Sequence, residues 1–348
     1  MMVQKTIRAK IIAPTKSKAE KIEREYRHFQ LALSGGDMPL YSATKQQAQR
    51  LLKRVKGKMR EQPLVIRNDV FKIQRQDTKI AQWWARIPVY GKSIWVPVQL
   101  PREQEHLLCL SIRETHLVKE TGGWSLRITV RHEVQMRSPK NILAVDLGEK
   151  HIATSVTLAD GAPRNPRFYG EDVRGIRRHY AWLRRRLGEK KALDTIKKIG
   201  DTEKRKVNDI LHKVSRQIVD DAVAQDACIV LGDLRGIRSR ARGRRMNRIV
   251  ANMPYFKLSN YIAYKAAWEG IPVYRVKEAW TSKTCHRCGH MGERVSQGLL
   301  VCPSCGLVYN ADLNGAINIA KRFSSYMQEN GASLAMPVNS PRGRRWTR

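Results

Sequence analysis

Four cysteines stand in two pairs, Cys285-x-x-Cys288 and Cys302-x-x-Cys305, with thirteen residues between them. Each pair offers two thiolates from one tight turn, and two such turns supply the four sulfurs of a tetrahedral zinc ion. Gly289 and Gly306 follow the pairs, where the backbone must turn under the metal. Four sulfurs close the shell, so this zinc is expected to be structural. The alternative is four free thiols, which exposed positions tolerate poorly. His286 and His290 read as surface residues, and Cys109 and Cys228, in apolar runs, read as core. Two carboxylates also stand where chemistry is done. Asp146 ends the apolar run Ile142–Val145 just before Gly148, and Asp312 opens the stretch Asp312-Leu-Asn-Gly-Ala-Ile-Asn318. A carboxylate at the end of a central strand suits a hard divalent cation. The blander readings are a turn cap for Asp146 and a helix N-cap for Asp312.

The rest of the chain must position these groups. It has 348 residues, with 66 Lys and Arg against 31 Asp and Glu, a formal charge of +35. That surplus is costly by self-repulsion unless a polyanion neutralises it, and nucleic acid is the natural one. An apolar share of 42% is enough for a sizeable core. No run of eighteen apolar residues and no secretory leader is visible, so neither a membrane span nor export is expected. Paired CxxC motifs in so long a chain point to a metal in a reducing compartment.

Residues 1–14 read as a strand, and 16–60 as helices broken at Gly35-Gly36, with Ser42 as an N-cap. The runs WARIPVY, SIWVPVQL, LLCLSIRETHLVKE and WSLRITVRHEV between 83 and 137 are strand-like, with a hairpin turn at Lys119–Trp124. This gives a small N-terminal β-barrel with inserted helices, its core holding Trp83, Trp84, Trp95 and Trp124, one of them available to stack on a base. From Ser138 the pattern changes to strands alternating with helices, an α/β sheet. Strands fall at Asn141–Val145, after His151, near Pro166–Tyr169, at Cys228–Leu231 and in Ile271–Glu278. Arg174 to about Gln225 is helical and very basic, a helix follows near 254–270, and another starts at Asp312.

Asp146 within AVDLGEKHIATSV, the double CxxC and Asp312-x-Asn314-x-Ala316-x-Asn318-Ile319 together resemble the split RuvC nuclease domain of the TnpB family. YKAAWEGIPV and TSKTCHRCG are similar to segments of that family too. These are transposon-encoded, RNA-guided DNA endonucleases, ancestors of the type V CRISPR effectors. The resemblance is close over roughly residues 138–322 and looser before them. It implies a wedge barrel at 1–14 and 83–137, a helical recognition insert at 15–82, and an RNase H-like RuvC domain at 138–280 and 310–325. It also implies a zinc-ribbon target-nucleic-acid-binding domain at 281–309 and a flexible basic tail at 326–348. The partners implied are a guide noncoding RNA (an omega RNA) and target double-stranded DNA, in the prokaryotic cytoplasm near the nucleoid, with the protein a monomer or a dimer. Sequence would be read by base pairing, and the protein would sense backbone and duplex shape.

One position departs from the family's pattern. Its RuvC-like domain carries three acidic residues, and the middle one is a Glu followed by Asp-Leu at a strand end. Here that strand reads Ile229-Val-Leu-Gly232-Asp233-Leu234, with glycine in the glutamate's place. Loss of cleavage, leaving a guided repressor, is one explanation. The other, which the reading favours, is relocation to Glu278 at the end of the next strand. Glu278 lies seven residues before Cys285 and Asp312 seven after Cys305, so zinc would return both stems to the site side by side. Glycine at 232 would leave room for the Glu278 side chain, while Asp233 should face away. Asp146, Glu278 and Asp312 are then expected to hold two Mg²⁺ ions about 4 Å apart. Arg177, Arg178, Arg184, Arg185, Arg186 and the pair Lys190-Lys191 are assigned to nucleic-acid backbone. Arg235, Arg238, Arg240, Arg242, Arg244 and Arg245 are assigned to a loop that guides a single strand, with a solvated loop as the alternative. A zinc-ribbon transcription or RNA-processing protein would not need the paired aspartates. A DDE-type transposase would not carry the ribbon before its last Asp.

Overall fold

The computed structural model describes residues 1–54, 61–234, 243, 253–296 and 298–329. They form two compact units, Met2–Glu133 and the remainder from Val134 with Met1.

In the first unit, β1 (Met2–Ile11) alternates buried Val3, Ile7, Ala9 and Ile11 with exposed Gln4, Thr6, Arg8 and Lys10, the period-two pattern of a half-buried strand. It pairs antiparallel with β5 (Lys92–Gln99) and β7 (Gly123–Glu133). Outside them lie β4 (Trp83–Val89), β6 (Ser111–Glu120), β2 (Leu64–Ile66) and β3 (Lys72–Arg75), in the order β2-β6-β7-β1-β5-β4-β3. Two helices, α1 (Lys16–Leu33) and α2 (Ser42–Arg54), complete the unit. Burial pushes the Glu25 carboxyl on α1 above the usual range, although it accepts the Tyr41 and Tyr90 backbone N–H groups at 2.9 and 2.8 Å.

Several expectations change here. The helical insert is shorter than 15–82, because 64–66 and 72–75 are strands of the same sheet. No pairing between β2 and β3 closes that sheet into a barrel among the described residues. Arg102–Cys109 is a 3₁₀ helix with only Leu107 buried, and Cys109 is exposed, so it is not a core residue. The α2 cap falls one residue before Ser42, since Lys45 N–H already donates to the Tyr41 carbonyl at 2.9 Å.

The second unit is built on a five-stranded sheet in the order β10-β9-β8-β11-β12. β8 (Asn141–Asp146), β11 (Ala227–Asp233) and β12 (Val273–Lys277) are parallel, while β9 (Ala153–Ala159) and β10 (Ala162–Tyr169) are antiparallel additions. β8 and β11 are apolar without interruption because both faces are covered. Leu143, Val145, Ile229 and Leu231 pack with residues of α3 (Asp172–Glu189), α4 (Leu193–Ala224) and α5 (Tyr255–Trp268). Ile142, Ala144, Cys228 and Val230 pack on the other face against α6 (Ala311–Glu329). Between β12 and α6 the chain makes a small three-stranded ribbon, β13 (Glu293–Ser296), β14 (Leu299–Val301) and β15 (Val308–Asn310). Residues 326–329 continue α6 rather than opening a tail, and the rest of the expected tail lies outside the described residues.

Candidate active site

Parallel strands bring their carboxyl ends to one edge, where open α/β sheets build sites. The register aligns Val145 with Leu231 and Gly232 with Val276, so Asp146, Gly232 and the residue after β12, Glu278, reach that edge together. The Glu278 side chain lies directly over Gly232. A Cβ on that glycine would fall 1.5 Å from Glu278 Oε1 and 2.3 Å from Cγ, so the glutamate fills the space that a side chain at 232 would take. A second glycine performs the same service for Asp146. A Cβ on Gly315 of α6 would come within 2.7 Å of Asp146 Oδ2, so this carboxylate lies close against the helix.

Asp312 is free of the capping role. Asn310 caps α6, its Oδ1 accepting the N–H of Asp312 at 2.9 Å and of Leu313 at 3.0 Å. The Asp312 carboxylate instead meets the Arg294 guanidinium of the ribbon at 3.7 Å.

The electrostatics are those of crowded acids. Burial, then the charge of Asp312, pushes the Asp146 carboxyl well up, against Arg294 and a Leu147 hydrogen bond. Burial, then the charges of Asp146 and Asp233, pushes Glu278 up further. Asp312 is raised by burial, with Arg294, His151 and Lys150 opposing. Asp146 is therefore the hub, felt by Glu278 and feeling Asp312. Asp233, expected to face away, is close enough to act on Glu278. Glu278 Oε1 is buried with no hydrogen-bond partner. A buried carboxylate oxygen without a donor costs about 1–3 kcal/mol or more, and a cation removes that cost. Three hard oxygen donors with one orphaned fit a divalent cation such as Mg²⁺. The set is looser than the cysteines, which among the described residues are the group whose ligand atoms all lie within 4.8 Å of one another.

The cysteine site is closed, as expected. Cys285 Sγ lies 3.6 Å from Cys305 Sγ, and Cys288 Sγ 3.5 Å from Cys302 Sγ. A tetrahedron with bonds of about 2.3 Å has edges of about 3.8 Å, so the four sulfurs are spaced to hold zinc. Gly289 and Gly306 adopt φ of +78° and +68°, and their N–H groups return to the Cys285 and Cys302 carbonyls at 3.0 Å. The ribbon is then tied to the acids. Asn314 donates to the Thr281 and Thr284 carbonyls at 3.1 and 2.7 Å, and Asn318 to the same carbonyls at 2.7 and 2.6 Å. His286, expected on the surface, is half-buried, its N–H donating to Asn314 Oδ1 at 2.9 Å.

The α3 arginines divide. Arg178, Arg185 and Arg186 are exposed, whereas Arg177 and Arg184 are half-buried against α4. Lys190 and Lys191 are exposed just beyond the helix. Arg235, Arg238, Arg240, Arg242, Arg244 and Arg245 lie outside the described residues. Sequence reasoning missed Arg294, Gly315 and Trp280. No local signal marks them, because the folding-back of the ribbon and α6 gives them their places. Trp280 is 64% exposed at φ +66°, two residues past Glu278.

Residues 255–319, spanning α5, the ribbon and the first half of α6, match the Cas12f1-like TNB domain. The TnpB-like protein MJ0751 of Methanocaldococcus jannaschii is 30% identical over 207 residues, 57% of this chain and 74% of that one. The chain belongs to the TnpB family. Another TnpB-like protein, from Aquifex aeolicus, is 28% identical over 65% of this chain and 82% of its own. The Cas12f1 endodeoxyribonuclease of Sulfoacidibacillus thermotolerans is 30% identical, but this TnpB-family chain spans only half its length. Among solved structures, Alicyclobacillus acidoterrestris C2c1 with single-guide RNA superposes with a TM-score of 0.51 at 10% identity, over 80% of this chain and 58% of that one. That likeness is one of fold. No described helix is long and apolar enough to cross a membrane.

Two outcomes follow. Elemental analysis should find one zinc ion per chain, and Cys302→Ser should lose it, lower Tm and increase proteolysis near Thr281, because the ribbon's anchor to α6 loosens. A carboxyl raised in the folded state contributes stability that is complete below its unfolded pKa and is lost as pH rises through the folded one. Without divalent metal, Tm should therefore fall as pH rises from about 5 through the folded values of Asp146, pushed up to about 7, and Glu278, pushed up to about 9. Glu278→Gln should flatten that fall, and Ca²⁺ should reverse it in the wild type but less in the variant. A metal-free Tm independent of pH would contradict the crowded-acid reading.

Proposed function

We propose that this TnpB-family protein is an RNA-guided DNA endonuclease of a transposable element. It hydrolyses phosphodiester bonds with Asp146, Glu278 and Asp312 as ligands of a pair of Mg²⁺ ions. The observation that carries this reading is Glu278 lying across Gly232, where its carboxylate stands in for one at 232. Bound there, divalent ions supply an activated water and neutralise charge on the phosphate. The chain's own part is to hold three acids at the end of a rigid sheet, two of them fitted against glycine. The Arg294 guanidinium offsets the Asp312 charge from the ribbon side.

Residues 134–234, 253–278 and 311–329 take the part of the RuvC-like domain, the cysteine ribbon that of the target-nucleic-acid domain, and the N-terminal sheet with α1 and α2 that of the wedge and recognition parts. The relatives' names support the activity, including the CRISPR-associated endodeoxyribonuclease Cas12f2 of a Micrarchaeota archaeon, 28% identical over 70% of this chain. A guide RNA and target DNA are the partners, and the exposed Arg178, Arg185 and Arg186 face lies along nucleic-acid backbone. A guided repressor that does not cut is the second reading, motivated by glycine at 232 itself.

The test is guided cleavage by the protein purified with its own RNA. Glu278→Gln should cut at least about a hundredfold more slowly, equivalent to about 2.7 kcal/mol of barrier, while still binding target DNA. Gly232→Ala should also lose activity with little change in Tm, because the new Cβ meets the flexible end of Glu278 and displaces it. Gly232→Glu combined with Glu278→Ala should recover part of the loss. Full activity in Glu278→Gln would reject the relocated glutamate, and a wild type that binds but never cuts would establish the repressor.

A further inference from the structure

On the sheet face opposite α6, three helices border an open pocket of about 440 Å³. Arg177 and Arg184 stand two turns apart on α3, Gly200, Glu203, Lys204, Val207 and Asn208 line it from α4, and Lys257 and Pro254 close it near the start of α5. Four cations thus face one carboxylate, and Glu203 is already committed to Arg184. Lys257 donates to Asn208 Oδ1 at 2.5 Å, so it meets no acid there. The Arg177 Nε is buried and without a hydrogen-bond partner. Burial lowers Arg177, with the Glu203 charge opposing and Arg184 adding to the shift, while burial and Lys204 lower Lys257. An open pocket with a net surplus of three positive charges among the described residues, 4 − 1, is suited to an anion.

The surplus also says which anion. An internal phosphodiester brings one negative charge, whereas a phosphate monoester brings about −1.5 to −2 at pH 7 and a diphosphate more. Guanidinium forks match phosphate oxygens in pairs. A water's share of liquid is about 30 Å³, so the volume leaves room for a sugar beside the phosphate. Arg178, Arg185 and Arg186, by contrast, are open to solvent and suit any stretch of backbone.

We propose that this cavity is a binding site for a terminal phosphate carrying two or more negative charges, a monoester or polyphosphate. It shares no residue with the carboxylate site and does not depend on whether that site cuts. The phosphate belongs either to an RNA 5′ end or to a free nucleotide.

The test uses the full chain, freed of co-purified RNA at high salt, in EDTA so that no cleavage is read. Binding of one RNA oligonucleotide is compared with a 5′-phosphate and with a 5′-hydroxyl, and ATP and pyrophosphate are added in thermal shift. The phosphorylated oligonucleotide should bind about tenfold tighter. That preference should vanish in Arg177→Gln and in Lys257→Gln and persist in Arg185→Gln. Should Arg177→Gln fail to fold by circular dichroism, Lys257→Gln and Lys204→Gln decide. Stabilisation by ATP or pyrophosphate, lost in the same variants but without discrimination between the oligonucleotides, assigns the site to a free nucleotide. Equal binding of both oligonucleotides together with no stabilisation by either polyphosphate overturns the proposal, as does a preference that survives the cavity variants.

Discussion

Three carboxylates crowded at one end of a sheet are the constraint around which the second unit is arranged. Taking charged oxygens out of water is among the costlier things a fold can do, and each added negative charge increases the cost. The chain accepts this at Asp146, Glu278 and Asp312 and gives the acids little relief of its own. Arg294 approaches Asp312 at 3.7 Å, and one oxygen of Glu278 has no donor. A site left so uncompensated by protein groups suits a divalent cation.

Backbone, not side chains, makes that crowding feasible. Glycine at 232 and at 315 removes the two Cβ atoms that would collide with Glu278 and Asp146. The parallel register supplies the alignment, because β8, β11 and β12 end together. The glycine that looks like a lesion in the second acidic segment is, in the folded chain, the space through which the acid of the next strand arrives. The cysteine ribbon belongs to the same device. Its anchor to Asn314 and Asn318 fixes the turn just after Glu278 to the helix that carries Asp312.

The positive charge is organised as well. Part of it lies on the open face of α3, where it is solvated and adaptable. Another part lines the pocket between α3, α4 and α5, where burial and like charge lower Arg177 and Lys257. Surface charge of the first kind attracts nucleic acid in general. The second kind has a shape, and shape selects among anions.

Much of this was legible in the residues alone. The CxxC pairs with their glycines declare a zinc knuckle, because thiolate spacing and a turn are local properties. Uninterrupted apolar runs ending in Asp146 and Gly232 declare buried parallel strands, and the α6 motif marks the third acid. The short strands at 64–66 and 72–75 were missed because three or four residues carry too little periodicity, and Cys109 because an apolar triplet cannot distinguish a strand from a 3₁₀ turn. That Asn310 and not Asp312 caps α6 was a choice between two good caps that only the folded backbone makes. The sequence by itself determined the elements, the zinc set and which acids were candidates, since these depend on neighbours a few residues away. The tertiary structure alone decided that Asp146 lies against Gly315, that Arg294 reaches Asp312, and that Arg177, Lys204 and Lys257 share a pocket. Those facts depend on register and packing between segments far apart in the chain, and no local pattern encodes such a distance.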